Sequence, residues 1–200
     1  QFENDANADI HEKTTAIEIL NDFKELGLDY WVSGYGTGGT FSGVSRVLRD
    51  QSPKTKLVIT EPENAQLVNS LITQKRNQDG SPAGAHDSWN PHPIQGWTPD
   101  FIPLVLQESI DKNYFDMNIP VRGEDGIYWS HQLATNEGII TGISGGSTFA
   151  VAMKIAEEAP DGSNILCMLA DTAERYLTSI LFEKIDSEMN DEENKILNSI

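Results

Sequence analysis

The sequence predicts an α/β fold in which a mostly parallel sheet carries helices on both faces. Short apolar runs typical of buried strands alternate with segments of helical apolar spacing along most of the chain. Two of the predicted strand-to-helix connections are rich in glycine and hydroxyl residues, as in parallel sheets that bind ligands at the carboxyl ends of their strands. A hydrophobic fraction of 38% in 200 residues is enough to build a core.

The first part of the chain shows the alternation most clearly. In chain order, the predicted elements are a helix at 11–26, a strand at 30–32, a helix through 44–48, a strand at 56–60 and a helix at 62–71. Gly27 ends the first helix, and a turn at Pro53 precedes the second strand. The next segment, Thr73–Pro93, is polar and predicts a long surface loop of the kind that often carries function.

The remaining elements follow that loop. They are a strand at 118–121, a helix at 124–136 that Gly138 caps, a helix through 149–159, an apolar strand at 164–169 and a helix from 172. Residues 183–200 are acidic and predict a frayed C-terminal tail. The pattern therefore predicts one α/β unit over residues 1–182, followed by the tail.

Composition excludes several functions. Fourteen Lys and Arg against 31 Asp and Glu give a net charge of −17, which disfavours binding to nucleic acid or to anionic membranes. No apolar run reaches the roughly 18–20 residues that cross a bilayer. The single cysteine, Cys167, excludes an internal disulfide, and the four histidines have no metal-ligand spacing. The sequence therefore predicts a soluble protein of a reducing compartment without a metal site, in which Cys167 is an inert thiol.

The sharpest local motif is the glycine loop, residues 34–40, with the sequence Gly-Tyr-Gly-Thr-Gly-Gly-Thr. Small residues before a helix N-terminus let backbone N–H groups surround an anion, so the loop predicts a phosphate site. It is not a P-loop, since no Lys-Ser/Thr follows, and it lacks the dinucleotide spacing. The alternative is a turn that serves only the packing of helix on strand.

The second motif is the serine turn, residues 142–148, with the sequence Gly-Ile-Ser-Gly-Gly-Ser-Thr. Ser144 could act as a nucleophile, although no Gly-x-Ser-x-Gly elbow is present, or its hydroxyl could bind a ligand. Helix capping by Ser144 or Ser147 is the interpretation that this turn favours by itself. Similarly, Asp171 and its charged neighbours are interpreted as capping and ion-pair groups at a helix start.

Taken together and in order, these motifs resemble the cysteine synthases (O-acetylserine sulfhydrylases), which are pyridoxal-phosphate enzymes of fold type II. The segments that carry the resemblance are 1–7, 11–15, 36–40, 94–96 with 101–103, 138–147 and 171–177. The resemblance implies the large domain of the tryptophan synthase β-like architecture. It also implies pyridoxal 5′-phosphate as cofactor and an amino acid as small-molecule substrate.

The resemblance assigns roles to individual residues. The residues implied to bind the cofactor phosphate are Gly36, Thr37, Gly38, Gly39 and Thr40. Ser144 matches the serine that hydrogen-bonds the pyridine nitrogen, a neutral partner that suits β-elimination and replacement. Gln1 and Gly96 match positions that face the substrate.

The family's Schiff-base lysine, in a Ser-x-Lys-Asp-Arg context, has no counterpart in this chain and would lie upstream of Gln1. We therefore expect no catalytic residue here, and activity only together with an N-terminal part. The implied reaction makes L-cysteine from O-acetylserine and sulfide. The alternatives are a cystathionine β-synthase-like replacement and a non-catalytic module that keeps the phosphate site. A homodimer, a serine acetyltransferase partner and a cytoplasmic or organellar location are further implications of the resemblance.

Overall fold

A four-stranded parallel sheet is the centre of the computed structural model, which describes residues 1–186 and 188–199. Its strands are β1 (Tyr30–Gly34), β2 (Lys56–Pro62), β3 (Met117–Val121) and β4 (Ile165–Cys167). They lie in the order β3-β2-β1-β4, and every pair is parallel. The predicted α/β class with a parallel sheet is confirmed.

Helices pack on this sheet or on one another, except the last one, which is exposed. In chain order they are α1 (Ala6–Lys13), α2 (Thr15–Asp22), α3 (Gly39–Gln51), α4 (Leu104–Asp111), α5 (Gly123–Gln132), α6 (Ile143–Glu158) and α7 (Asp191–Leu197). A π-helical turn at Leu133–Glu137 extends α5, and a 3₁₀ turn at Ala173–Tyr176 follows β4. Within the described residues, no helix is both long and apolar enough to cross a membrane.

Two cores form because strand side chains alternate between the faces of the sheet. Trp31 and Leu57 pack on one face against α2, α3 and α4. Val32 and Val58, each one position further along, pack on the other face against α6. The prediction of helices on both faces is therefore confirmed.

The predicted helix at 11–26 is wrong in its bounds. The chain forms two helices that break at Thr14, which has φ −123° and ψ −78°. The first begins at Ala6, five residues earlier than expected. The sequence did not reveal this start, because the buried contact of the helix joins two backbones rather than apolar side chains. A Cβ added to Gly43 of α3 would lie 2.2 Å from the Ala8 carbonyl oxygen. Close packing of this kind leaves little apolar periodicity in α1 for sequence analysis to find.

The predicted helix at 62–71 is also wrong. The buried carboxylate of Glu61 accepts the backbone N–H groups of Val68 at 2.8 Å and Asn69 at 3.0 Å. In a helix those groups would bond to carbonyls four residues earlier, so the carboxylate holds a turn instead. Leu71, the last residue of the expected helix, has φ 58° and is 90% exposed.

Three further differences concern the second half. Helix α4 was not predicted, because it follows a segment, 63–103, without regular secondary structure and its own apolar run is short. The helix expected from Thr172 is a single 3₁₀ turn. In the tail, where fraying was expected, α7 is a fully exposed helix whose N-terminus carries a capping box between Asn190 and Glu193.

Candidate cofactor and substrate site

The candidate site is a cavity of about 310 Å³ at the carboxyl ends of β1 and β4. The glycine loop reaches it through Gly36 and Thr40, and the serine turn reaches it through Ser144 and Thr148. Two motifs about a hundred residues apart therefore line one cavity, because parallel strands end at the same edge of the sheet.

The glycine loop is packed too closely for side chains. A Cβ added to Gly36 would lie 2.2 Å from the Gly96 carbonyl oxygen. One added to Gly38, whose φ is 85°, would lie 2.6 Å from the Leu106 Cβ atom. The loop therefore has a packing role, which the sequence left open as the alternative to a phosphate site.

The same loop also leaves donors free. In the described part of the chain, the backbone N–H groups of Gly36, Thr37 and Gly38 donate to no other protein atom. The N–H of Gly39 makes only a 3.3 Å contact with the Thr37 hydroxyl. Free N–H groups before a helix N-terminus are the donors that an anion site requires, and the dipole of α3 adds positive potential at this end.

Asn7 links the start of the chain to this loop. Its side-chain amide donates to the Thr37 hydroxyl at 2.8 Å and to the Gln1 carbonyl oxygen at 2.9 Å. Gln1 itself is exposed and does not line the cavity, so its substrate role stays a prediction. Thr37 also lies outside the cavity wall, where Asn7 orients its hydroxyl.

His11 lines the cavity beside Thr40, a position that sequence analysis did not assign. Its Nε2 atom lies 3.2 Å from the Thr40 hydroxyl, and its Nδ1 atom lies 2.9 Å from the Thr15 hydroxyl. Burial lowers the pKa of His11, so the imidazole is neutral at physiological pH. The available signal was that residues 11–15 belong to the segments that carry the family resemblance, although no role was assigned to His11.

Ser144 lies in the first turn of α6 and is 6% exposed. The N-cap residue is Gly142, and α6 has no side-chain cap. Ser147 bonds back to the Ile143 carbonyl at 2.8 Å, so the capping interpretation is wrong for both serines. Among the described residues, the Ser144 hydroxyl makes no hydrogen bond, which leaves it free for a ligand in the cavity.

Asp171 is a cavity residue that sequence analysis interpreted as a helix-start charge. Its Oδ2 atom accepts the Tyr176 hydroxyl, while its Oδ1 atom is buried and has no partner in the described residues. Burial, together with Asp171, raises the pKa of Tyr176 to about 12. The available signal was that Asp171 follows an apolar strand at its carboxyl end, where parallel sheets place ligand groups.

Gly96 and Trp97 close another side of the cavity. Gly96 has φ 82°, and its carbonyl oxygen rests on Gly36. The Trp97 indole lies on Gly34, where an added Cβ would come within 2.0 Å of the ring. The predicted substrate position Gly96 thus lies beside the glycine loop, although 60 residues of sequence separate it from Gly36.

These features fit a phosphorylated pyridine cofactor. The free N–H groups of the glycine loop suit a phosphate without lysine or arginine, and the Ser144 hydroxyl suits a ring nitrogen. The comparison with protein families agrees: residues 1–171 match the model of the pyridoxal-phosphate dependent enzymes. The chain belongs to this family, whose members depend on pyridoxal phosphate.

Individual relatives are more specific. O-ureido-L-serine synthase of Streptomyces lavendulae is 42% identical over 191 residues, which cover 96% of this chain and 53% of the relative. Cysteine synthase B of Campylobacter jejuni is 40% identical over 182 residues, covering 91% and 53%. The chain is therefore similar to amino-acid synthases of the cysteine synthase type and spans about half the length of the curated relatives it matches.

Solved structures give the same result. The crystal structure of O-ureido-L-serine synthase matches with a TM-score of 0.81 at 40% identity, over 96% of this chain and 54% of that one. The O-acetylserine dependent cystathionine β-synthase from Helicobacter pylori matches with a TM-score of 0.72 at 31% identity, over 90% and 52%. The predicted fold type II architecture is confirmed.

Proposed function

We propose that the protein containing this chain catalyses β-replacement on an O-activated L-serine, making L-cysteine from O-acetylserine and sulfide. In this proposal, residues 1–182 form the cofactor-binding part and residues 183–200 a tail. The observation that carries it is that the glycine loop, with its free N–H groups, reaches through Gly36 the same cavity as the Ser144 hydroxyl, which has no hydrogen-bond partner among the described residues. The relatives named cysteine synthase support the same reaction.

Pyridoxal 5′-phosphate, when bound, supplies an electron sink that lets the amino acid exchange its β-substituent. The N–H groups of Gly36, Thr37 and Gly38 bind the phosphate, and the α3 dipole adds to that binding. Ser144 donates its hydroxyl hydrogen to the ring nitrogen and leaves that nitrogen without a proton. Gly96 borders the substrate. In the reaction, the Cβ–O bond breaks with its electron pair leaving on acetate, and hydrosulfide forms the Cβ–S bond and keeps its hydrogen as the thiol of cysteine.

A second candidate has an observation of its own. The relative at 42% identity and the structure with a TM-score of 0.81 are both O-ureido-L-serine synthase. The name of that product describes a serine whose side-chain oxygen carries a ureido group. The corresponding nucleophile is the hydroxyl oxygen of hydroxyurea, which would replace acetate at the same carbon.

The experiment gives the protein containing this chain, together with the part that supplies the Schiff-base lysine, O-acetylserine with sulfide, homocysteine or hydroxyurea and measures each product. Cysteine as the dominant product supports the proposal, and O-ureidoserine supports the second candidate. If the cofactor binds but no product forms with any nucleophile, the β-replacement proposal is wrong and a non-catalytic module remains. The same preparation, analysed by size-exclusion chromatography with and without serine acetyltransferase, tests the proposed homodimer and that partner. The proposed cytoplasmic location needs localisation in cells.

A further inference from the structure

Glu61, at the end of β2, is a carboxylate with no exposed surface. Its Oε1 atom accepts the Tyr35 hydroxyl at 2.7 Å and the Val68 N–H at 2.8 Å. Its Oε2 atom accepts the Asn69 N–H at 3.0 Å and the Asn118 amide at 2.7 Å. Burying a carboxylate is costly unless donors surround both oxygens, and here four donors do. Glu61 does not line the cavity, so contact with a ligand there does not explain why a carboxylate is buried at this position.

Tyr35 connects this buried group to the glycine loop. It lies between Gly34 and Gly36 and is 2% exposed. Its hydroxyl donates to Glu61, and its carbonyl oxygen accepts the Thr98 N–H at 2.8 Å. Burial, and then the charge of Glu61, raise the pKa of Tyr35 well above its ordinary value, so the hydroxyl keeps its proton and remains a donor.

The residues on either side of Tyr35 have no side chain with which to fix their own conformation. Gly34 supports the Trp97 indole, and Gly36 touches the Gly96 carbonyl, both at distances that exclude a Cβ. Tyr35 therefore supplies a side chain that anchors the Gly34–Gly36 part of the loop.

We propose that Glu61 is a positioning residue for the cofactor phosphate. Through Tyr35 it holds the glycine loop so that the N–H groups of Gly36, Thr37 and Gly38 point at one oxyanion. Its other hydrogen bonds tie the loop to residues 68–69 and to β3, so these segments form one rigid support. This inference rests on the proposed function, because it assumes that the loop binds phosphate.

The test compares binding of pyridoxine 5′-phosphate with binding of pyridoxine by the unmodified chain and its variants. Both probes lack the aldehyde, so neither bonds covalently to lysine, and they differ only in the phosphate. The dissociation constant of pyridoxine divided by that of pyridoxine 5′-phosphate isolates the contribution of the phosphate. We expect Tyr35→Phe to lower this ratio about tenfold, the equivalent of one loop N–H group no longer bonding to the charged phosphate, and Glu61→Gln to lower it as well.

Tyr30→Phe is the matched control. It removes a hydroxyl from the first residue of β1, the strand that leads to Tyr35, where the contact is a 3.4 Å approach of the Lys56 amine. We expect it to leave the ratio unchanged. Urea unfolding of each variant reports stability separately from binding.

Each outcome decides the question. If the unmodified chain binds both probes equally, the phosphate site itself, and with it the proposed function, is wrong. If it prefers the phosphorylated probe but Tyr35→Phe keeps the full preference, the positioning role is refuted. If Tyr35→Phe weakens both probes by the same factor, Glu61 and Tyr35 serve stability alone, which also overturns the proposal. Should Glu61→Gln fail to fold, Tyr35→Phe still decides.

Discussion

Replacing Gly38 by alanine should destabilise the chain far more than the same change at Gly27. Both glycines have a left-handed backbone, with φ 85° and 75° respectively. Alanine in that conformation costs about 1–2 kcal/mol at either position. A Cβ at Gly27 would meet nothing within 4 Å, so this backbone cost is the whole expected effect there.

At Gly38 a second cost is added. The new Cβ would lie 2.6 Å from the Leu106 Cβ and 3.0 Å from its backbone N and Cα atoms. Relief requires a shift of α4 or of the glycine loop, because the obstructing atoms cannot rotate away. Overpacking of this kind costs typically about 1–3 kcal/mol, so Gly38→Ala should lose about 2–5 kcal/mol in total.

The assay is urea denaturation of Gly38→Ala, Gly27→Ala and the parent chain without cofactor, followed by titration with pyridoxine 5′-phosphate. Gly38→Ala should have the lower free energy of unfolding by about 1–3 kcal/mol relative to Gly27→Ala, and it alone should lose affinity for the phosphate. Equal destabilisation of the two variants would refute the packing of the loop on Leu106. Unchanged phosphate affinity in Gly38→Ala would refute the anion site.

Three other predictions follow from single residues. Ser144→Ala should keep the fold and the bound cofactor but slow β-elimination, whereas Ser147→Ala, the control, should not slow it; equal rates in both variants would contradict the role of Ser144. Burial raises the pKa of Cys167 to about 11, so iodoacetamide at pH 8 should alkylate the native chain much more slowly than the urea-unfolded chain. The folded state holds the Tyr176 proton more tightly, with a pKa of about 12 against 10.0, so the free energy of unfolding should fall as pH rises through this interval. Tyr176→Phe should flatten that fall between pH 10 and 12, as measured by denaturation at each pH; an unchanged slope would contradict the shift.

The sequence by itself determined the features that depend on neighbouring residues. The strands at Tyr30–Gly34, Lys56–Pro62 and Met117–Val121 were predicted close to their observed bounds. For β1 and β2 the reason is that buried strands need continuous apolar runs. The glycine loop and the serine turn were also found, since glycine before a helix is a local signal. The order of the motifs along the chain was enough to indicate the family that the comparison then confirmed.

Only the tertiary structure shows where contacts between distant residues override these local signals. Residues 62–71 have helical apolar spacing, yet the Glu61 carboxylate takes two of their N–H groups and holds a turn. Helix α1 is defined by contact with Gly43, which lies 30 residues after the end of that helix. The place of Asp171 in the cavity also depends on a long-range contact. Strand β4 pairs with β1, which brings the carboxyl end of β4 beside the glycine loop. Such contacts join residues far apart in sequence, and their free energy exceeds the local preferences that a sequence pattern expresses.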